Sequence, residues 1–147
     1  MPGQVPRYQG DTIGGLTALS AITGGQVVEG AAGGVQPAGA ASNTVIGVAA
    51  VDAIPAATSQ SPSVPGVASN ISVNVSPYPP YCSVIQDGVV IVQYAAAATF
   101  GVRLIAAAAG TVTPAAATPD ARQVIGICME PNGVALNGFG QMRLTLS

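Results

Sequence analysis

The chain has 147 residues, of which 49% are hydrophobic and only 7% charged, and its four Arg and six carboxylates leave a net charge of −2. That length suits one domain. With no Lys to neutralise a run of phosphates, the composition excludes nucleic acid and anionic membrane surfaces as partners; with no His, it excludes Ser-His-Asp and Cys-His nucleophiles.

Residues 1–12 hold two Pro, two Gly and a single large aromatic, Tyr8, and predict an extended arm rather than a folded element. The opening Met1–Arg7 has no apolar run, so no signal peptide is expected. No stretch reaches the length of continuous apolar residues, about 18, that a membrane-spanning helix needs. From Ile13 to Ala21 the apolar alternation is imperfect, and Gly14-Gly15 weakens a helix. Gln26–Glu29 and Thr44–Ala49 read as short strands, rich in Val and Ile and bounded by Gly or Asn. Residues 55–69 are a charge-free run of Pro, Ser and Ala, which predicts an exposed loop. Ile71–Val75 alternates strictly, as a half-buried strand does. Pro77-Tyr78-Pro79-Pro80-Tyr81 predicts a stiff corner. Ser83–Gln86 and Val89–Tyr94 flank Asp87-Gly88, which predicts a hairpin. The Ala95–Ala98 and Ala106–Ala109 runs are too short for independent helices and predict loops or single turns. In Gln141–Leu146, Met142, Leu144 and Leu146 share one strand face.

The two halves of the chain carry the same phrase. Gly25-Gln26-Val27-Val28, Val35-Gln36-Pro37-Ala38 and Val45-Ile46-Gly47-Val48 are matched by Gly101-Val102-Arg103-Leu104, Val112-Thr113-Pro114-Ala115 and Val124-Ile125-Gly126-Ile127. Each copy is an apolar pair after Gly, a Val-x-Pro-Ala corner and a Val-Ile-Gly strand. Repetition of this kind predicts two related β units, with Val45-Ile46-Gly47 and Val124-Ile125-Gly126 in equivalent core strands. Many short strands, Gly-rich turns and no long amphipathic segment predict an all-β fold, a small β-barrel or β-sandwich with an internal pseudo-repeat and an extended N-terminal arm. The expected organisation is the arm at 1–12 and a single β-rich domain at 13–147. Much of the apolar content is Ala, which buries little area, so association with other subunits is expected to add stability.

Reactive chemistry is missing from the sequence. Two Cys without His cannot supply a four-ligand zinc site, and the six carboxylates stand singly, outside any calcium-loop pattern. Asp87 and Asp120 sit beside Gly or Pro and read as turn residues. Cys82 and Cys128 read as small buried thiols. No cofactor, metal or catalytic residue is expected.

Gly10-Asp11-Thr12, Ala21-Ile22-Thr23-Gly24-Gly25, Val35-Gln36-Pro37-Ala38-Gly39-Ala40, Val45-Ile46-Gly47-Val48-Ala49 and Asp52-Ala53, followed by Gly110–Ala115, Gln123–Ile127 and Arg143–Leu146, resemble in order the small capsid decoration (cement) proteins of tailed bacteriophages. The resemblance covers most of residues 8–147; it breaks between Ala53 and Asn70, where the Pro/Ser loop intervenes, and Tyr78–Cys82 is individual to this chain. It implies a non-enzymatic protein, made in the host cytoplasm, that sits on the outer surface of the mature phage head and reinforces it against internal DNA pressure. The implied partners are the major capsid protein and further copies of itself, as a homo-oligomer such as a trimer. Pro6, Arg7 and Tyr8 in the arm, with Tyr78, Pro79 and Tyr81 in the corner, are the candidate contacts to shell or neighbouring subunit. A head-fibre base, a tail component and a bacterial surface module are the alternatives.

Overall fold

A computed structural model of the chain describes residues 11–55 and 79–146. Residues 1–10 of the expected arm, all of the 55–69 loop except Pro55, the strand at Ile71–Val75, and Tyr78 lie outside the described residues. Thr12, assigned to the arm from sequence, is the first residue of a strand.

The described residues form ten strands and two single 3-10 turns, with no α-helix among them. The first five are β1 (Thr12–Thr17), β2 (Val27–Ala31), β3 (Gly34–Pro37), β4 (Val45–Ala49) and β5 (Tyr81–Ile85). The second five are β6 (Gly88–Gln93), β7 (Arg103–Ala106), β8 (Val112–Pro114), β9 (Val124–Cys128) and β10 (Phe139–Leu144). They build two antiparallel five-stranded sheets, ordered β1-β5-β4-β2-β3 and β6-β10-β9-β7-β8. The second order is the first repeated five strands later. In each sheet a parallel bridge draws the two edges together, Ala18 to Val35 in the first and Tyr94 to Val112 in the second. Leu19 N donates to Val35 O at 2.9 Å, and Ala95 N to Val112 O at 2.7 Å. Each sheet is therefore curled until its edges touch, which leaves little free edge for stray pairing.

The repeat holds residue by residue. Val28 faces Gly47 on one side and Pro37 on the other; Leu104 faces Gly126 and Pro114. The next pairings are Glu29 with Val45 and Ile105 with Val124, so Ile46 and Ile125 are the extra residues of two matching bulges. The glycine after each bulge has a steric cause. A Cβ on Gly126 would lie 2.6 Å from the Arg143 carbonyl and the Met142 side chain, and one on Gly47 would collide with the Ile85 carbonyl. The Val-Ile-Gly phrase is thus a bulge followed by the point where the neighbouring strand crosses too close for any side chain.

The halves share a core. Val27, Ala38, Val48 and Ile85 of the first pack with Val90, Tyr94, Leu104, Ile125, Met142 and Leu144 of the second. The first half keeps a further interior of its own around Val28, Val35, Ala49, Cys82 and Val84. Tyr94 is fully buried, and its hydroxyl donates to Gln141 O at 3.0 Å. Cys82 in β5 and Cys128 in β9 are buried free thiols in different sheets.

The expected hairpin across Asp87-Gly88 is absent. β5 pairs with β1 and β4, while β6 pairs with β10, so the chain passes there from one sheet to the other. A type I′ turn needs positive φ at both central residues. Gly88 has φ 105°, but Asp87 is not among the residues of positive φ and instead accepts the Gly88 N–H on its Oδ1 at 2.8 Å. The alanine runs do form loops and one 3-10 turn, Ala108–Gly110.

Two consequences are measurable. Ile125 is buried whereas Ile46 is half-buried, so Ile125→Asp should abolish folding and Ile46→Asp should lower the melting temperature by less, because an unpaired carboxylate pays its desolvation in proportion to burial. Gly126→Ala, a single methyl, should cost about 1–3 kcal/mol in denaturant titrations, since the Arg143 carbonyl stands in its way as well as the Met142 side chain. A further expectation concerns pH. Burial, helped by Cys128 and Glu130, pushes the Tyr94 phenol above its ordinary value of 10.0. The folded state then holds a proton that the unfolded state releases, so stability is intact below the ordinary phenol range and falls as pH rises through it, by about 1.4 kcal/mol per pH unit. Tyr94→Phe should remove that alkaline slope and lose the hydroxyl's hydrogen bond, about 0.5–1.5 kcal/mol, at neutral pH.

Candidate interaction surface

Five of the six carboxylates of this chain hold backbone in place. Asp52 Oδ1 accepts the Gly24 N–H at 2.7 Å, Glu130 Oε1 accepts the Gln141 N–H at 2.9 Å, and Asp120 caps the turn at Ala121–Gln123 by accepting the Arg122 N–H at 3.0 Å. Glu29 accepts from the Gln36 side chain at 2.9 Å and the Gly39 N–H at 3.1 Å. Hydrogen bonding from Ser42, then Gln36, then Gly39 keeps its carboxyl below the usual carboxylate range. Asp120 also pairs with Arg122 at 2.9 Å on the surface. Among the described residues, no three His, Cys, Asp or Glu side chains gather in one place. What the surface offers is apolar shape.

The chain has two phenylalanines, and both are on the outside: Phe139 is 71% exposed and Phe100 56%. The largest apolar side chains of a protein normally go to the core first. Phe139 opens β10 and Ile91 projects from the same face of β6, where it is 45% exposed. Between them and the first half lies a groove of about 480 Å³, lined by Gly24, Gly25, Val48, Ala50, Ile85 and Phe139 among others. Val51, 49% exposed, stands beside Gly24 at its edge. In its lining Gly25, at φ 87°, lets the Ile91 carbonyl approach to 3.2 Å from where a Cβ would sit. A smaller groove of about 230 Å³ lies on the other side of the junction, lined by Asn43, Val45, Arg122, Val124, Ile125 and Leu146.

Of the contact residues expected from sequence, Pro6, Arg7, Tyr8 and Tyr78 lie outside the described residues. Pro79 is exposed, and its carbonyl accepts the Ile54 N–H at 3.1 Å. Tyr81 starts β5 opposite Thr17 and is 56% exposed. Neither lines the groove. Phe139, Ile91, Val51 and Phe100 were missed by sequence reasoning. The signal available was the company of the phenylalanines: Gly138-Phe139-Gly140 and Thr99-Phe100-Gly101 give an aromatic no bulky apolar neighbours along the chain.

No protein-family profile and no curated protein sequence matches the chain. Solved structures match it in fold. The N base of head fibre gp8.5 of bacteriophage phi29 superposes with a TM-score of 0.59 at 13% identity, over 92% of this chain and 95% of that one. The C-terminal fragment of gene product 12 of phage phi29 gives 0.52 at 15% identity, over 90% and 97%. The pre-mature gene product 12 gives 0.53 at 16% identity, and there the match spans 93% of this chain but 23% of the longer one. At such identities what is shared is the fold.

Because Phe139 contacts little of its own chain, Phe139→Ser should change stability by no more than about 0.5 kcal/mol. It should also reduce the fluorescence of a hydrophobic dye bound to the native protein. A large drop in melting temperature would mean that the side chain is part of the core.

Proposed function

We propose that the protein is a structural component of a bacteriophage virion, seated on the outside of the head through contacts with the major capsid protein, and that it performs no catalysis. The observation that supports this most is the end-to-end likeness in fold to the N base of the phi29 head fibre, which spans nearly the whole of both chains. The likeness to gene product 12 of the same phage adds a second virus-derived instance of the fold. The surface chemistry agrees: exposed Phe139, Ile91 and Val51 around a groove suit a protein contact rather than phosphate. The sequence, with neither His nor Lys, has few groups for acid–base or nucleophilic work.

Two forms of this reading differ in consequence. As a head-fibre base, the protein docks on the shell and carries further structure outward. As a cement protein, the form to which the order of sequence motifs points, it also ties shell subunits together. Purified protein mixed with undecorated expanded heads and with unexpanded proheads separates them. Binding to expanded heads is expected in both forms, with weak dependence on salt because charge is sparse. A rise in the temperature of DNA release marks cement, and binding without that rise marks a base. Equal absence of binding to either shell overturns the head-surface reading.

A further inference from the structure

We propose that the contact between the two halves of this chain is repeated between molecules, so that the second half of one copy receives the first half of the next in a head-to-tail assembly. This rests on the duplication alone and stands whether or not the protein resides on a phage head.

The halves do not meet symmetrically. The first half offers the face around Gly25, Val27, Val48 and Ile85, and the second answers with Val90, Ile91, Phe139 and the Ala108–Gly110 turn. Gln26 Nε2 donates to Ala109 O at 3.0 Å, and Gly110 N donates to Ala38 O at 3.0 Å. These patches come from different positions of the repeat, with Val45 and Val124, which line the smaller groove together, as the exception. A contact between two different patches of equivalent units is heterologous, and it leaves one patch of each kind unused.

The register identifies the unused patches. On the second half, Gly101, Arg103, Ile127 and Arg143 stand where Gly25, Val27, Val48 and Ile85 stand on the first. On the first half, Asp11, Ile13, Tyr81 and Gly33 hold the places of Gly88, Val90, Phe139 and Gly110. Among the described residues, the glycines show these places uncovered. Gly25 has the Ile91 carbonyl 3.2 Å from its missing Cβ, whereas Gly101, with nearly the same backbone at φ 81°, has no described residue within 4 Å. Gly110 is pressed against the Val27 carbonyl at 2.7 Å, whereas Gly33, at φ 90°, has among the described residues the tip of Leu19 at 3.9 Å. Apolar surface remains on both unused patches, Phe100 on one, Ile13 and Tyr81 on the other.

Charge selects a second copy as the occupant. The vacant face of the second half carries Arg103 and Arg143, both exposed; the vacant face of the first carries exposed Asp11. Within the molecule, Ile85 and Gly88 lie three positions apart in the chain. Repeating the contact between molecules puts Arg143 and the next copy's Asp11 in those two places, within reach of an ion pair. Tyr81 of that copy takes the place of Phe139, where an arginine can lie on its ring.

Sedimentation of the full-length protein over a concentration series tests this. The wild type should gain mass with concentration. Arg143→Asp and Asp11→Arg, both at exposed positions, should keep the wild-type melting temperature and weaken association about tenfold or more, since each creates like charges at the junction. An equimolar mixture of the two variants should associate again, because both alternating junctions then join opposite charges. Phe100→Ser should weaken association without involving charge. A wild type that stays monomeric at every concentration overturns the proposal, as does association that both charge variants leave unchanged. A monomer whose Phe100→Ser variant loses head binding would likewise overturn it and give the face to the shell instead.

Discussion

The close crossing of β4 with β5, and of β9 with β10, is the constraint on which the rest of the fold depends. At Gly47 and Gly126 the neighbouring strand's carbonyl occupies the space of a side chain. The bulge immediately before each glycine turns the strand sharply enough to make that crossing. A flat five-stranded sheet would leave its edges far apart. Sheets bent at this point bring β1 to β3 and β6 to β8, where single parallel bridges join them. Closure in turn makes small side chains sufficient. An interior of Ala18, Ala49, Ala53 and Cys82 fills only if the walls are near each other, and here they are. The alanine content that looks too poor for a core is matched to a narrow one.

How much of this is legible in the sequence depends on whether the cause is local. Thr44–Ala49 and Gln141–Leu146 announce themselves as strands through β-branched content and alternation, and strands run there over Val45–Ala49 and Phe139–Leu144. The repeat is legible because the bulge and crossing demand the same residue types twice. The Val-x-Pro-Ala phrase reads as a corner, yet Val35–Pro37 and Val112–Pro114 are the ends of short edge strands, a place where a missing N–H is harmless. The hairpin reading at Asp87-Gly88 fails for a physical reason: a turn dipeptide reports local backbone preference, while strand partners are chosen by long-range packing. Each of β5 and β6 already has its partners inside its own half. The interaction surface is the least legible part. Tyr81 is visible as an exposed aromatic next to prolines, whereas for Phe139 the flanking Gly138 and Gly140 are the one local sign, because exposure there results mainly from how two distant strands end.

The duplication also explains an asymmetry of chemistry between equivalent positions. Val27 and Ile85, covered by the second half, are replaced at the corresponding uncovered positions by Arg103 and Arg143. A face buried permanently within one chain is free to be wholly apolar. A face that must stay in water until a partner arrives needs charge at its rim, and arginine supplies it while still offering a stem and a flat guanidinium for packing. Ile127, half-buried where Val48 is fully covered, keeps the apolar centre. The combination of charged rim and apolar centre is what protein–protein contacts generally show.

Sparse charge has a further consequence for how such a protein holds anything. With four cations in the whole chain, long-range attraction cannot supply much affinity, and each exposed pair is worth about 0–1 kcal/mol. Affinity must come from fitting apolar surface and from repetition. A single groove with one exposed phenylalanine is a weak anchor, yet a chain of copies linked end to end presents that groove many times on one surface. Linked sites raise the effective concentration of every further contact, so weak anchors sum to firm attachment when their spacing matches the target. A scaffold closed at its sheet edges holds such spacing rigidly, because closure removes the free edges along which strands slip. The curled sheets, the duplicated halves and the exposed aromatics therefore suit the proposed role, in which a repeating surface is held by many small contacts of fixed geometry.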